Sequence, residues 1–592
     1  MAKERWASRL GLVLAMAGNA VGLGNFLRFP AQAVQNGGGA FLIPYFVALA
    51  VMGLPLIWVE WAMGRYGGKF GHHSTPGIFQ SMGRSPVWKY LGVFGLWTNL
   101  IIASYYLYIE SWTMAYAGYS LIGGFNANSS VEFLKQSPPD FFARLTGEAP
   151  NQIFAISAWG LGIFFLCMAI NVFILSRGLA KGIELVSKIG MPVLIIFAII
   201  LAIRGLMIVP ESEAAAGGWG IVDKQAVASP FEGLNFVWNP KFDSLTNPAV
   251  WLAAAGQIFF TLSIGMGSIH CYASYVREKD DIALTGATAA WTNEFCEVIL
   301  GGTILIPIAV AYLGLAEVQQ KSGFGLGFMV FPTLFQKWGM LAPAAGFMWF
   351  GLLFFAAITS SLAMGQPIMA FLQTEFGFSR GKSALAFGAM LFPLAFPVAC
   401  LSQKTFFDEF DYWAGTFALV LFAVIETILF AWVFGMDRGW EEMLKGAELK
   451  IPRAFYYIIK YVTPVFLLVI LVAYTFQPEG RVPVRDSVTR AVLKDPVTGE
   501  ERMANKGWEP YILAPFSGEP APAWKWSGDG MIGKLVFADV PIPDGPPAAA
   551  EFARHVRLGR TGDRLVMVGA FIAFSLLVAL AWRKRRAQGE PA

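Results

Sequence analysis

The stretch Asn19-Ala-Val-Gly-Leu-Gly-Asn25 decides how this chain folds, because it interrupts an apolar run that begins near Leu10. The flanking segments 10–17 and 26–34 are apolar enough to form a membrane helix. Non-helical backbone at membrane depth is tolerated only where it is buried in protein or lines a polar cavity, and glycine adopts it at little steric cost. A helix broken here frees carbonyls to hold a cation and amides to hold a carboxylate. Close helix packing by small residues is the alternative explanation.

The composition is that of a polytopic membrane protein. Of 592 residues, 56% are hydrophobic and only 14% are charged. Apolar runs of about 20 residues predict twelve membrane-spanning helices. The predicted spans are 8–34, 39–65, 88–122, 151–175, 184–208, 247–276, 281–313, 341–374, 382–402, 405–435, 454–476 and 564–584.

Lysine and arginine concentrate at both ends of the chain and in alternate loops. The positive-inside rule therefore predicts cytoplasmic termini in a plasma membrane, here a bacterial inner membrane. The segment 477–562 is rich in proline, glycine and charge, and is predicted to be a long outward-facing loop or insertion. The chain divides into a first repeat at 1–208, a second at 247–435, the eleventh helix at 454–476, this loop, and the last helix with a short cytoplasmic tail at 563–592.

The sixth predicted span repeats the interruption of the first. Ser263-Ile-Gly-Met-Gly-Ser268 follows the apolar segment 251–262, and the apolar run resumes toward Tyr275. Two broken helices in matching positions, five spans apart, indicate an inverted-repeat transporter with its binding site at the bilayer midplane. The second interruption therefore favours a functional break over simple packing.

Polar residues inside predicted spans are candidate ligands. Asn293 and Glu297 lie four residues apart on one face of the seventh span, and Thr359-Ser-Ser361 interrupts the eighth. Oxygen donors of this kind suit alkali cations, whereas the four scattered cysteines have no metal-binding spacing. Three further intramembrane glutamates are predicted to make structural hydrogen bonds: Glu60, Glu110 and Glu426.

The segment Ala15-Met-Ala-Gly-Asn-Ala-Val-Gly-Leu-Gly-Asn-Phe-Leu-Arg-Phe-Pro30 resembles the first-helix signature of the neurotransmitter:sodium symporter family. Further similar segments lie at 58–68, 105–112, 256–263, 272–277, 411–416 and 451–453. The chain is similar to the family's bacterial leucine transporter, LeuT, and the resemblance covers 1–476 and the last helix. It implies an all-α polytopic membrane protein with 12 transmembrane helices, a 5+5 inverted repeat (the LeuT fold) with broken helices 1 and 6, and two extra C-terminal helices.

The resemblance also implies two sodium sites and one substrate site at the helix breaks. The first sodium ion would be held, together with the substrate carboxylate, by Ala20, Asn25, Thr261 and Asn293. The second would be held by the carbonyls of Gly18, Val21 and Ala356 and the hydroxyls of Thr359 and Ser360. The substrate would contact Ala20, Gly24, Ile102, Tyr106, Phe260, Thr261, Ser263, Met266, Ser360 and Met364.

Two matched positions narrow the expected substrate and ions. Monoamine-carrying relatives have an aspartate where this chain has Gly22, so glycine implies an amino-acid substrate. The uncharged pocket implies an apolar side chain, and Met266 and Met364 imply a broader range than leucine alone. Chloride-dependent relatives have a serine at Glu297, so a carboxylate there implies chloride independence, with proton return as an option.

The implied gates match the family outside and depart from it inside. The outer gate would be an ion pair between Arg28 and Asp411 above the lid formed by Tyr106 and Phe260. At the inner gate, Lys3 occupies the position of the family's arginine, and Thr374 occupies the position of the aspartate that pairs with it. Glu375 is the alternative partner for Lys3, and Tyr275 is the other residue of this gate. A lysine ammonium group cannot replace the planar, bidentate hydrogen bonding of an arginine guanidinium to a carboxylate.

The function expected from this resemblance is sodium-coupled symport of a neutral amino acid. The expected partners are that amino acid, two sodium ions and the lipid bilayer, with no organic cofactor and no nucleic acid; a homodimer is left open. An amino-acid-sensing receptor without concentrative flux and an ion channel are the rival hypotheses. An enzyme is disfavoured, because the sequence has no catalytic constellation.

Overall fold

A computed structural model describes residues 4–146, 156–214, 220–320, 325–401, 406–475, 481–483, 503–505 and 546–588. The chain forms a bundle of long helices, labelled α1–α14 in chain order. Their bounds are α1 Arg9–Ala20, α2 Leu23–Gln35, α3 Gly39–Lys69, α4 Val87–Leu121, α5 Ala158–Ser176, α6 Leu179–Leu206, α7 Pro248–Leu262, α8 Ser268–Ala273, α9 Ile282–Leu313, α10 Gly339–Phe376, α11 Arg380–Leu401, α12 Asp411–Leu444, α13 Ala454–Ala473 and α14 Pro546–Ala587.

Shorter elements connect these helices. The short helices are Thr75–Met82, Glu132–Lys135, Pro138–Thr146, Glu211–Ala214, Pro230–Trp238, Phe242–Thr246, Leu315–Gln320, Leu326–Gln336 and Phe406–Phe410. Strand β1 (Ile208–Pro210) pairs in parallel with β2 (Ile221–Asp223), with Ile208 opposite Ile221. Strand β3 (Arg481–Pro483) pairs antiparallel with β4 (Met503–Asn505).

The predicted architecture of many helical spans is confirmed. Within the described residues, 10 helices are long and apolar enough to cross a membrane, and α1 with α2 forms one more span bent by 44°. The predicted sixth span is divided between α7 and α8, which are each too short to cross alone. The apolar stretch of α4 is 94% buried, whereas those of α5, α13 and α14 are 28% buried. Thus α4 belongs to the core and the latter three line the periphery.

The first break follows the predicted stretch. Helix α1 ends at Ala20, and Val21 (φ −71°, ψ 99°) and Gly22 (φ −123°, ψ −167°) are extended before α2 begins. The side-chain Oδ1 of Asn25 accepts a hydrogen bond from the Gly22 amide at 2.8 Å, so it closes the turn into α2. The break leaves the last carbonyls of α1 and the first amides of α2 facing the protein interior.

The second break uses left-handed backbone between α7 and α8. Ser263 (φ 53°), Gly265 (φ 70°) and Gly267 (φ 92°) carry the chain across it. A Cβ atom at Gly265 would lie 2.3 Å from the Leu419 carbonyl oxygen of α12, so only glycine fits. Its amide donates to Glu60 Oε1 at 2.6 Å, which satisfies a buried donor released by the break.

Long helices hold the two breaks together. Helix α4 runs along α10, while α1 contacts α6, α9 and α10. Helix α8 packs on α3 and α10, so α10 contacts the helices of both breaks. The site is therefore built from unwound backbone held by rigid neighbours.

The last helix begins earlier than the predicted twelfth span. Helix α14 begins at Pro546 rather than near 564, so the last part of the segment predicted as a loop at 477–562 is helical. The alanine-rich run 548–550 favours helix, but charged residues follow it, so a hydropathy window does not include it in a membrane span. The remainder of that predicted loop, apart from β3 and β4, lies outside the described residues.

Candidate functional site

A small cavity of about 20 Å³ lies where the two helix breaks face each other. All the predicted substrate residues except Thr261 line it. Four lining residues were not predicted to contact substrate. The lining is Ala20, Gly22, Gly24, Asn25, Ile102, Tyr106, Phe259, Phe260, Ser263, Met266, Ser360, Met364 and Leu419. A volume of this size holds about one water molecule, so a larger occupant requires side chains to move.

Donors gather at the start of α2. The Leu23 amide donates to the Tyr106 hydroxyl oxygen at 3.0 Å. A Cβ atom at Gly22 would lie 2.7 Å from that hydroxyl and 3.2 Å from Ser360 Oγ. Any side chain at position 22 would therefore occupy the polar end of the cavity, beside the amides that are best placed to receive an anion.

Acceptors gather at the end of α1. The Asn19 carbonyl oxygen accepts hydrogen bonds from Ser263 Oγ at 2.8 Å and from Ser360 Oγ at 3.5 Å. Family resemblance did not single out Asn19, although its place in the last turn of α1 was visible from the predicted break. The end of α1 thus presents partial negative charge opposite the partial positive charge at the start of α2.

The residues predicted for the first sodium ion form one continuous hydrogen-bonded set. Asn25 Nδ2 donates to Asn293 Oδ1 at 2.8 Å, and Asn293 Nδ2 donates to Thr261 Oγ1 at 2.9 Å. All three side chains are buried. Three amide or hydroxyl oxygens therefore converge between α2, α7 and α9, which is the donor type that alkali cations prefer. Ala20 lines the adjoining cavity.

Glu297 lies against this set and is fully buried. Its carboxylate accepts hydrogen bonds from Thr261 Oγ1 and Gln257 Nε2, and from Asn293 Nδ2 at 3.3 Å. The predicted proximity of Glu297 to Asn293 is therefore observed. The neighbouring Glu294 accepts hydrogen bonds from the Tyr45 hydroxyl at 2.7 Å and from Asn293 Nδ2 at 3.4 Å.

The residues predicted for the second sodium ion meet between α1 and α10. Ser360 Oγ donates to the Gly18 carbonyl at 3.2 Å and to the Ala356 carbonyl at 3.1 Å. Thr359 Oγ1 donates to the Ala356 carbonyl at 3.2 Å. Val21 is buried at the break beside them. The set offers only oxygen atoms.

The outer lid is present, but the predicted outer ion pair is not formed within the described residues. Arg28 and Asp411 line one outward cavity of about 210 Å³. The Arg28 guanidinium instead lies 4.5 Å from the centre of the Phe260 ring, and Asp411 accepts a hydrogen bond from Tyr105 at 2.8 Å. Arg28 therefore makes a cation–π contact with Phe260 and Asp411 is hydrogen-bonded to Tyr105, so the two residues do not pair with each other. Phe260 and Tyr106 line both this cavity and the inner one.

The ion pair observed at the inner side involves other residues than the predicted gate, and its acidic and basic partners are exchanged. Glu4 Oε2 lies 2.7 Å from Nη1 of Arg380 at the start of α11. Arg380 also donates to the Leu175 carbonyl and to Gln366 Oε1, both at 2.7 Å. Gln366 Nε2 donates to the hydroxyl of Tyr275 at 3.3 Å, so the predicted Tyr275 does join this network. Here the acid is on the N-terminal segment and the base is on the scaffold.

The N-terminal segment has further anchors next to this pair. The Trp6 indole donates to the Tyr272 carbonyl of α8 at 3.1 Å, and the two rings contact edge to face. Glu184 of α6 accepts hydrogen bonds from the Ala7 amide and the Ser8 hydroxyl. These contacts tie the segment before α1 to α6, α8 and α11, at the end of the bundle that the charge pattern predicts to be cytoplasmic.

The inner-gate roles predicted for Lys3 and Glu375 have no observed contact to support them among the described residues. Lys3 lies outside the described residues. Among the described residues, Glu375 accepts two hydrogen bonds from Arg585 of α14, at 2.7 and 3.0 Å. Its pairing with Lys3 as a substitute inner-gate partner stays a prediction.

Known proteins resemble this chain along most of its length. A sequence model of the Sodium:neurotransmitter symporter family matches residues 3–132 and 126–482. An uncharacterized sodium-dependent transporter of Methanocaldococcus jannaschii is 30% identical over 478 residues, which are 80% of this chain and 90% of that protein. Sodium-dependent nutrient amino acid transporter 1 of Drosophila melanogaster is 23% identical and covers 79% of this chain and 77% of its own length. The crystal structure of MhsT in complex with L-phenylalanine matches with a TM-score of 0.65 and 28% identity, over 80% of this chain and 100% of MhsT.

Proposed function

The chain belongs to the sodium:neurotransmitter symporter family, and from this premise we propose that it takes up a neutral, apolar amino acid together with sodium. The convergence of the two broken helices on one cavity carries the proposal. The relative MhsT was solved with phenylalanine, and the Drosophila relative is named for amino acids, which agrees with a zwitterionic substrate.

The amino-acid part of the substrate is recognised by the backbone at the breaks. Its carboxylate binds at the amides near Gly24 and at the Tyr106 hydroxyl. Its ammonium group binds at the carbonyls of Ala20, Phe260 and Thr261, together with the Ser263 hydroxyl. A buried zwitterion needs both of its charges satisfied, and the two helix ends supply opposite partial charges.

Glycine at position 22 supports an amino acid over an amine. The position faces the Tyr106 hydroxyl and Ser360 Oγ so closely that a side chain would fill the place of the substrate carboxylate. A decarboxylated amine would leave those donors unpaired, which disfavours its binding. The remaining lining, including Ile102, Met266 and Met364, is uncharged and supports an apolar side chain.

Two sodium ions couple uptake to the membrane potential. At about 100 mV each entering ion releases ~2.3 kcal/mol, and a tenfold gradient adds ~1.4 kcal/mol. Two ions thus support accumulation of a neutral substrate by roughly 10⁵-fold, whereas one supports only a few hundredfold. Because the substrate carboxylate completes the site of Asn25, Thr261 and Asn293, ion and substrate binding reinforce each other.

Glu297 makes transport independent of chloride. Its carboxylate contacts Thr261 and Asn293 directly, so it supplies the negative charge beside the first sodium ion.

Alternating access follows from two closures on either side of the site. The lid of Phe260 and Tyr106 closes it outside, and the Glu4–Arg380 contact closes it at the cytoplasmic face of a plasma membrane.

Uptake into proteoliposomes tests this function. We expect radiolabelled phenylalanine, leucine and other apolar amino acids to accumulate only with an inward sodium gradient, and more strongly when a potassium diffusion potential makes the lumen negative. A Hill coefficient near two for the dependence of uptake on sodium concentration indicates two coupled ions. Binding without accumulation would identify a receptor, and sodium current without substrate would identify a channel; either result refutes the proposal.

A further inference from the structure

A further cavity lies at the end of the bundle that the charge pattern predicts to be cytoplasmic. Its volume is about 350 Å³, and it shares no lining residue with the substrate cavity. Three segments form its walls: the N-terminal segment 5–9, the segment 275–281 that leads from α8 into α9, and the residues Gly446 and Glu448 after α12. We call it the loop cavity.

The basic side chains of the loop cavity lack acidic partners. Arg5, Arg277 and Lys279 line it and are exposed. Within the part of the chain that the structure describes, no carboxylate lies within 4.0 Å of any of the three. A fourth, Arg9, makes only a long contact of 3.8 Å with Glu448, and both of these side chains are mostly exposed. Free positive charge therefore reaches the cavity from two different segments of the chain.

The acidic side chains of the loop cavity are engaged by backbone amides. Asp281 Oδ1 accepts a hydrogen bond from the Leu284 amide at 2.8 Å, and Asp281 Oδ2 accepts one from the Glu448 amide at 2.7 Å. Asp280 Oδ2 accepts a hydrogen bond from the Arg277 amide at 2.8 Å. Both aspartates therefore hold the walls together, and their oxygens are occupied by amides instead of the basic side chains.

The acid between the two basic loop residues does not line the loop cavity. Glu278 pairs with Lys445 instead. A Cβ atom at Gly446 (φ 74°) would lie 2.4 Å from the Lys279 carbonyl oxygen, so the chain after α12 packs closely on the chain before α9. This packing keeps Glu278 with Lys445, while Arg277 and Lys279 line the cavity.

A phosphate-bearing anion matches these donors. A guanidinium group binds phosphate oxygens through two parallel N–H bonds, and an ammonium group adds a compact point charge. Four basic side chains around one cavity are more than a single chloride ion or carboxylate engages. The volume of about 350 Å³ falls in the range of small-molecule sites, which is roughly 300–1,000 Å³.

The position of the loop cavity favours a soluble anion over a lipid. The helix that continues from its wall, α9, has an apolar stretch that is 83% buried, whereas the corresponding stretch of the peripheral α14 is 28% buried. The cavity therefore lies at the end of interior helices, and a lipid headgroup would have to leave the edge of the bundle to reach it.

We propose that the loop cavity binds a soluble phosphate-bearing anion of the cytoplasm, and that the bound anion holds the cytoplasmic side of the transporter closed. Arg5 and Arg9 bind it from the N-terminal segment, and Arg277 and Lys279 bind it from the chain before α9. Because these two segments must separate before substrate can leave on that side, an anion that bridges them opposes release. The site itself is independent of the proposed function, whereas its effect on transport rests on it.

Calorimetry tests the site. Potassium pyrophosphate is titrated into the purified full-length protein without divalent cations, and sulfate is titrated at equal ionic strength for comparison. We expect saturable binding that is stronger for pyrophosphate than for sulfate. The affinity should fall about tenfold or more in Lys279→Gln and in Arg277→Gln, because each variant loses one charge-assisted contact. Lys279 is an exposed loop residue, so its variant should fold normally.

A matched control separates the loop cavity from general attraction of anions. Arg84 is an exposed arginine in another loop that is predicted to be cytoplasmic, and it does not line the loop cavity. Arg84→Gln should bind pyrophosphate with wild-type affinity. An equal loss of affinity in Arg84→Gln, or equal affinity of the wild type for sulfate, would mean that the anion is held only by diffuse charge and overturns the inference.

Pyrophosphate enclosed in proteoliposomes tests the closure. A ligand that binds only the closed state, at about ten times its Kd, lowers the ratio of open to closed states by about tenfold. Sodium-driven phenylalanine uptake by the wild type should slow by up to that factor, and uptake by Lys279→Gln should respond much less. Alkylation of Cys271, which is buried in α8, should slow in parallel.

The remaining outcomes are distinct. Absence of saturable binding overturns the site, and binding that leaves uptake and Cys271 alkylation unchanged overturns the closure. Pyrophosphate binding that is lost in nanodiscs of phosphatidylglycerol but kept in phosphatidylcholine would identify a lipid headgroup as the occupant, which also overturns the inference. Absence of any sodium-driven uptake defeats the proposed function instead, and calorimetry still decides whether the site exists.

Discussion

Replacing Glu4 by glutamine should let the cytoplasmic side of the protein open more often. The change removes the charge that contacts Arg380 at 2.7 Å but leaves the bonds from Arg380 to the Leu175 carbonyl and Gln366 in place. Exposed ion pairs contribute up to about 1 kcal/mol, and charge-assisted bonds contribute up to about 3 kcal/mol. The side chains are 31% and 13% exposed, so the pair lies between these limits. We expect about 1–2 kcal/mol, or a roughly 5- to 30-fold higher ratio of open to closed states.

The natural cysteine Cys271 reports this opening. It is buried in α8 beside Tyr272, whose carbonyl binds the Trp6 indole, and that contact must part before the cytoplasmic side opens. The rate of Cys271 alkylation by N-ethylmaleimide, read by mass spectrometry, should rise by the same factor in Glu4→Gln. The other buried cysteines serve as internal references. Glu278→Gln is the matched control, because it removes an acid of the same face that pairs only with lysines in the described residues.

A double-mutant cycle isolates the pair from the other bonds of Arg380. Arg380→Gln loses more than Glu4→Gln, since it also loses two donors to α5 and α10. The combined variant should nevertheless be less open than the sum of the two single effects by the pair energy. The reversed pair, Glu4→Arg with Arg380→Glu, should recover part of the closure but not all. Strictly additive effects, or alkylation rates equal to wild type, would refute the gate assigned to Glu4 and Arg380.

Four further substitutions test the substrate and ion sites. Gly22→Asp should abolish amino-acid uptake while preserving the folded protein, because the new carboxylate lies against the Tyr106 hydroxyl; uptake retained within tenfold would contradict this reading. Wild-type uptake should be the same in chloride and gluconate, and Glu297→Ser should make uptake chloride-dependent; a chloride requirement in the wild type would rule out the carboxylate's role. Asn25→Ala and Thr359→Ala should each raise the sodium concentration needed for half-maximal substrate binding by at least tenfold, as measured by equilibrium binding across a sodium titration.

The helix breaks could be predicted because their causes are local. Gly22 lies in the extended segment between α1 and α2, Gly265 and Gly267 adopt left-handed backbone, and the polar residues around them mark the same points. The cavity followed from the family motifs, since residues such as Tyr106 and Ser360 hold fixed places in those motifs. Its lining therefore agrees with the prediction almost residue by residue.

Contacts between distant segments could not be predicted in the same way. Glu60, His270 and Glu426 meet in the core from three helices that are far apart in sequence, and nothing in the local pattern of Glu60 or Glu426 shows that His270 lies beside them. The contact between Glu4 and Arg380 was not predicted, for a related reason. The family pairing starts from Lys3, but the partner at Arg380 depends on where the N-terminal segment crosses α8, which the anchor at Trp6 determines.

The contrast between backbone and side-chain recognition explains how one cavity can select amino acids and still accept several of them. The groups that receive the zwitterion lie on backbone that the helix breaks and their hydrogen bonds hold in place, such as the Leu23 amide and the Asn19 carbonyl. The cavity beyond them has room for about one water molecule at 20 Å³, far less than an apolar side chain needs. That space must come from residues that move at low cost, and the unbranched Met266 and Met364 are the adaptable members of the lining. The part of the substrate common to all amino acids therefore meets rigid atoms, while the variable part meets flexible ones.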